Sequence, residues 1–64
     1  MDKWIGEAIF KMRSNKITQE NVASKMGVGR GYINKILTGK EEYTPKNAES
    51  RIMTAIDEII KERA

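Results

Sequence analysis

A compact all-α domain of four helices, or five, is the fold class that the sequence predicts, for three reasons. Apolar residues recur at helical spacing along most of the chain. No segment alternates apolar and polar residues with the β-branched composition of a strand. Glycines and a Thr-Pro pair interrupt the helical pattern at intervals that suit short helices. The 64 residues are expected to form a single domain over positions 1–64.

The composition excludes several classes of protein. The chain has no Cys and no His, so disulfides, thiolate zinc sites and the most common general base near neutral pH are absent. No apolar run approaches the roughly 18 residues that span a membrane, and the N-terminal segment lacks the apolar stretch of a signal peptide. We therefore expect a cytoplasmic protein that is not an enzyme, with no metal, no cofactor, no small-molecule ligand and no membrane association.

The positive charge is concentrated in the first two-thirds of the chain. The formal net charge is +3; residues 1–40 carry eight basic and three acidic side chains, whereas residues 41–64 carry four basic and six acidic ones. This asymmetry suits a surface that binds a polyanion, and it is equally compatible with an ordinary solvated surface.

The first helix is predicted to run from about Asp2, its N-cap, to Ser14. Trp4 and Phe10 are expected to pack in the core or at its edge. The other apolar residues follow the i, i+3, i+4, i+7 pattern of a helix with one buried side, namely Ile5, Ala8, Ile9 and Met12.

The second helix is predicted over Gln19–Met26, with Thr18 as its N-cap. Asn21 stands where a capping box has Glu or Gln, so an incomplete box is expected. Gly27 follows the last apolar residue of the helix and is expected to end it in a left-handed conformation, which glycine adopts without steric cost.

The third helix is predicted from Gly29 or Arg30 to Thr38, with Gly39 as its stop. At about 100° per residue, one side of this helix is apolar, with Ile33, Ile36 and Leu37. The opposite side has two cations near it and no carboxylate, and its residues are Gly31, Asn34, Lys35, Thr38 and, beside them, Arg30.

A tail helix is predicted over residues 45–63, with Thr44 as its N-cap and Pro45 at its first position. Its apolar residues cover a wider stripe than one contact surface requires. Met53 and Ile60 lie at the side of this stripe, where they either complete the edge of the core or form a dimer seam.

Residues 18–39, TQENVASKMGVGRGYINKILTG, have the spacing of two helices that cross steeply at a glycine turn. Ala23 is small enough to let the backbones approach, and Gly27 turns the chain. Val28 and Ile33 then close the corner between the helices. This segment resembles, without gaps, the helix-turn-helix of the phage Cro and repressor proteins, the XRE-type family.

The resemblance extends to the first helix, where I-x-x-M-R over residues 9–13 is similar to the family's pattern, and it covers about residues 5–40 in all. It implies a lambda-repressor-like fold in which the second motif helix enters the major groove of double-stranded DNA. It implies base contacts from four residues of that helix: Arg30, Gly31, Asn34 and Lys35. It implies a phosphate contact from Gln19, and we expect phosphate or sugar contacts from four more residues as well: Arg13, Tyr32, Thr38 and Lys40.

The chain departs from the family pattern within and beside the third helix. Gly29 replaces the usual Ser or Thr cap. Gly31 lies inside the helix, where it either allows close approach to DNA or loosens the first turn. Leu37 stands where the family commonly has a Glu that pairs with the arginine matched by Arg13, so Arg13 either binds phosphate or stays solvated. Tyr32 either packs on the first helix or touches a sugar or a thymine methyl.

These features predict a sequence-specific transcriptional regulator, a Cro-like repressor that acts by occupying its operator. Because one recognition helix contacts only a few base pairs, we expect a weak homodimer that forms fully on DNA, with Met53 and Ile60 as its seam. Two alternatives are an excisionase-like or mobile-element control factor, and a protein-interaction module such as an antitoxin-like or anti-repressor partner. DNA bending would distinguish the excisionase-like factor from a repressor. A protein-interaction module would keep its function when Arg30 and Lys35 are replaced.

Overall fold

Four α-helices make up most of the described chain. The computed structural model describes residues 3–38 and 47–64, in the order α1 (Lys3–Ser14), α2 (Gln19–Met26), α3 (Arg30–Thr38) and α4 (Ala48–Arg63). This part of the chain contains no strand, and none of its helices is long and apolar enough to cross a membrane. The all-α prediction is confirmed, and the predicted bounds of α2 are those observed. The predicted boundary residues that lie outside the described residues are Asp2, Gly39, Thr44 and Pro45.

The core lies where one side of each helix meets its neighbours. α2 packs against α3 and α4, and α1 packs against α4. Every buried side chain in the described residues is apolar, as the helical spacing predicts. The buried residues are Ile5, Ala8, Met12, Ile17, Val22, Ala23, Ile33, Ile36, Leu37, Ala48, Ile52, Ala55, Ile56 and Ile59. Because α3 is held by its apolar side, its polar side is left facing solvent.

The turn between α2 and α3 directs the third helix away from the second. Gly27 has φ +74°, in the left-handed region. The Gly27 N–H donates to the carbonyl of Ser24 at 3.2 Å, and the Val28 N–H donates to that of Ala23 at 2.9 Å. These two bonds satisfy carbonyls at the end of α2 in a Schellman arrangement. The prediction of a left-handed Gly27 is confirmed.

The N-terminus of α2 has a complete capping box, so the prediction of an incomplete box is wrong. Thr18 Oγ1 accepts from the N–H of Asn21 at 3.0 Å, and Asn21 Oδ1 accepts from the N–H of Thr18 at 2.9 Å. The amide oxygen of Asn is an acceptor of the same kind as that of Gln, and here it is close enough to reach the Thr18 amide. The reciprocal bonds hold the start of α2, where Gln19 is the first helical residue.

The connection between α1 and α2 is a turn of the same type, built without glycine. Lys16 has φ +56°. The Lys16 N–H donates to the carbonyl of Arg13 at 3.3 Å, and the Ile17 N–H donates to that of Met12 at 2.8 Å. A non-glycine residue is uncommon in this conformation because its Cβ crowds the following carbonyl. The conformation therefore persists only where surrounding contacts hold it.

The start of α4 differs from the prediction. The prediction of a helix that continues unbroken from Pro45 is wrong at residue 47. Asn47 has φ −104° and ψ 11° and lies outside the helix. Asn47 takes the N-cap position, and its carbonyl accepts from the N–H of Arg51 at 3.0 Å. Ala48 is the first helical residue of α4 and also the first residue of α4 that is buried in the core.

The two aromatic side chains of α1 have different environments. Trp4 is half-buried and packs against the core, as expected. Phe10 is 72% exposed, so the prediction that it packs in or beside the core is wrong. At about 100° per residue, Phe10 points away from the side of α1 that holds the buried residues.

Candidate nucleic-acid interface

The outward side of α3 is a solvent-exposed polar surface. Its residues, which we call the recognition surface, are Arg30, Gly31, Asn34, Lys35 and Thr38, and all are exposed. The opposite side of α3 is buried. The four residues predicted to contact bases therefore share one side of one helix, and Thr38 extends that side toward the helix end. The recognition surface has two cations and no carboxylate.

One hydrogen bond connects the recognition surface to the start of α2. Asn34 Nδ2 donates to Gln19 Oε1 at 3.2 Å. Asn34 retains its amide oxygen and one amide hydrogen for another partner, and Gln19 retains its NH2 group as a donor. The sequence did not indicate this contact, because the two residues lie on different helices and are separated by 15 positions.

Three of the residues predicted to contact phosphate or sugar surround one shallow cavity. Arg13 from α1, Gln19 from α2 and Thr38 from α3 line a cavity of about 270 Å³, whose apolar lining includes Leu37. Leu37 is buried. Arg13 is exposed and has no side-chain hydrogen bond or ion pair within the described ranges. The structure thus brings polar side chains from three helices together at the border of the recognition surface. The Thr38 hydroxyl donates to the carbonyl of Lys35 at 3.2 Å, so it offers only its oxygen as an acceptor there.

The other predicted contact residues differ in their surroundings. A Cβ built on Gly31 would meet no protein atom within 4 Å, so packing within the fold does not require glycine there. Tyr32 is half-buried and packs against the core, and part of the residue stays exposed. Lys40 lies outside the described residues.

Charge is distributed differently on the two sides of the molecule. Away from the recognition surface, α4 neutralises two cations, in the ion pairs Lys11–Asp57, at 2.9 Å, and Lys25–Glu62. The hydrogen bond from Lys25 to the Glu62 carboxylate raises the pKa of Lys25 above its ordinary 10.5. The two cations of the recognition surface have no ion-pair partner in the described part of the chain, which leaves them available to an external anion.

No cluster of acidic, His or Cys side chains suited to a metal occurs within residues 3–38 and 47–64.

Comparison with known families agrees with this geometry. A sequence model described as helix-turn-helix matches residues 10–50, more than half of the chain, including all of α2 and α3. The chain belongs to the XRE-type helix-turn-helix family. This helix-turn-helix family is DNA-binding and is not typically enzymatic. No curated protein and no solved structure gave a match.

The residues predicted as a dimer seam of this helix-turn-helix protein are not fully exposed. Met53 and Ile60 are half-buried and pack against the core. At about 100° per residue they fall on the side of α4 that carries Asp57, whose ion-pair partner Lys11 belongs to α1. They therefore lie along the junction of α4 with α1, and only their exposed parts are available to a second chain.

Proposed function

We propose that this helix-turn-helix protein is a small Cro-like repressor that occupies its operator as a weak homodimer. It acts on double-stranded DNA in the cytoplasm. The observation that carries the proposal is the recognition surface, in which two cations and no carboxylate lie beside Asn34. Asn34 is hydrogen-bonded to Gln19 at the N-terminus of α2. Occupancy needs no ligand, because a protein bound across a promoter blocks access to it.

The base contacts come from α3. Arg30 and Lys35 donate to O6 and N7 of guanine. Asn34 pairs with adenine, since the oxygen and the amide hydrogen that it retains after bonding Gln19 match N6 and N7 of that base. Gly31 offers no side chain on the exposed side of α3, which leaves its backbone free to approach base pairs closely.

The phosphate contacts come from the border of the recognition surface. The NH2 group of Gln19 stands at a helix N-terminus, where backbone N–H groups also favour phosphate. Arg13 and Thr38 line the same cavity, and no carboxylate in the described residues pairs with Arg13. Lys40, as a cation that directly follows the motif, and Tyr32, which lies beside the polar side of α3, complete the set. These contacts supply much of the affinity and make it dependent on salt.

The number of base contacts favours a dimer on DNA. Three side chains that each discriminate by about 1–3 kcal/mol are too few to select one site in a genome. Two copies on a pseudo-palindrome double the contacts, with half-site centres about 34 Å apart. Because Met53 and Ile60 are already half-buried, the area that they add is small, which suits a dimer that forms fully only on DNA.

Binding-site selection followed by transcription in vitro tests this function. A duplex is selected from random DNA and placed either across a promoter or well upstream of it. We expect the protein to lower transcription only where the site overlaps the promoter. A strong bend in the selected DNA with no effect on transcription would favour an architectural factor. Failure to select any sequence would instead favour a protein-interaction module, provided that Arg30→Ala and Lys35→Ala also leave the behaviour of the protein unchanged.

A further inference from the structure

We infer that Arg63, in the last turn of α4, is a positioning residue for DNA binding. It holds the turn between α1 and α2 and, through that turn, the end of α2 that carries Gln19. The inference rests on the proposed phosphate contact of Gln19. Arg63 lies outside the recognition surface and beyond the residues that the family model matches, which end at position 50.

The Arg63 guanidinium reaches three acceptors near the α1–α2 turn. Its Nη1 donates to the carbonyl of Asn15 at 2.7 Å and to that of Lys16 at 3.3 Å, and its Nη2 lies 3.5 Å from Oδ1 of Asn21. The two carbonyls directly follow the last residue of α1. The C-terminal end of a helix carries partial negative charge, so a cation is favourable at this position.

The two backbone acceptors flank the residue with the unusual conformation. The Asn15 carbonyl belongs to the peptide plane before Lys16, and the Lys16 carbonyl belongs to the plane after it. Bonds from one guanidinium to both carbonyls therefore restrain both backbone dihedral angles of Lys16, which has φ +56° without being glycine. Beside the backbone bonds of the turn itself, Arg63 thus supplies a further contact that helps to hold this conformation.

The third acceptor connects Arg63 to the capping box. Asn21 Oδ1 also accepts from the N–H of Thr18, the residue immediately before Gln19. Loss of the guanidinium frees the peptide planes around Lys16 and removes one donor to Asn21 Oδ1, an acceptor of the capping box. Gln19 is then less well positioned toward phosphate. We expect Arg63→Gln to weaken DNA binding by roughly three- to tenfold, which lies within the range for loss of one hydrogen bond of ordinary net strength, because all three bonds are exposed to solvent.

A double-mutant cycle on DNA binding tests the inference. Arg63→Gln is measured in the wild-type, Gln19→Ala and Lys35→Ala backgrounds. We expect its effect to be largely lost with Gln19→Ala and to persist with Lys35→Ala, because only the first pair is coupled. Lys61→Gln removes one exposed cation two residues away on α4, and as the matched control it should leave the affinity within about twofold of wild type. Arg63→Lys keeps the cation and should recover part of the affinity.

Two results would overturn the inference directly. One is an equal loss in all three backgrounds. The other is a decrease of about one in the log–log salt slope for Arg63→Gln, because Arg63 would then contact a phosphate itself. If Gln19→Ala alone leaves the affinity unchanged, the phosphate role of Gln19 is wrong. Hydrogen exchange of the free protein then tests separately whether Arg63 holds the start of α2. Arg63→Gln should then speed exchange at Thr18 and Asn21 more than at Ile36, and a uniform change would reject the positioning role.

Discussion

Replacement of Gly31 with alanine separates what the fold requires from what DNA binding requires. Gly31 is exposed in the first turn of α3, and a Cβ built there meets no protein atom within 4 Å. The free protein therefore accommodates alanine, which favours a helix over glycine by up to about 1 kcal/mol. For a domain of this size, a gain of about 1 kcal/mol raises Tm by roughly 4–8 °C.

On DNA, the same methyl group is expected to weaken binding. A methyl on a backbone that lies against base pairs produces a misfit of about 1–3 kcal/mol, or a five- to 150-fold loss of affinity. Gly6→Ala is the matched control, since Gly6 is exposed in α1 and its Cβ would also meet no atom within 4 Å. Each variant is measured by thermal melting with circular dichroism and by gel-shift titration. If Gly31→Ala stabilises the protein and binds DNA as tightly as Gly6→Ala, close approach at Gly31 is refuted.

Two further predictions concern charge and assembly. With roughly four to six phosphates neutralised per monomer, the logarithm of the affinity of one protomer for a half-site should fall against the logarithm of salt with a slope of about −4 to −5, and a dimer on two half-sites should show about twice that slope. An affinity indifferent to salt would reject the proposed DNA interface. Ile60→Glu should leave the monomer folded by circular dichroism but abolish cooperative binding to a duplex with two half-sites. Unfolding of this variant would assign Ile60 to the core, and retained cooperativity would place the dimer seam away from α4.

Local signals made the motif itself predictable. Thr18 and Gly27 are residue types whose side-chain or backbone chemistry starts and ends a helix, and both bounds of α2 are observed where these residues place them. The same periodicity that buries one side of α3 exposes the other, so the exposure of all five residues of the recognition surface follows from spacing alone. The capping box was missed because Asn21 is not the usual residue at that position, although its amide oxygen makes the same bond.

Contacts between helices were not predictable from local signals. The bond between Asn34 and Gln19 and the bonds of Arg63 to the α1–α2 turn join residues 15 to 48 positions apart. Their formation depends on how the helices cross, which is decided by packing of the core. The exposure of Phe10 has a different cause. The helical spacing of α1, a local signal, places Phe10 opposite the core, whereas the prediction of burial rested on its aromatic type alone.

The central claim is that α3 reads base pairs, and the affinity for every single-base-pair variant of the selected site tests it most directly. The profile of the wild-type protein is compared with those of Arg30→Ala and of Arg51→Ala, a control at an exposed arginine of α4. We expect Arg30→Ala to lose about 1–3 kcal/mol of preference at one base-pair position and to keep the others, while Arg51→Ala keeps the wild-type profile. An Arg30→Ala profile that is unchanged, or lowered equally at every position, would contradict base reading by α3.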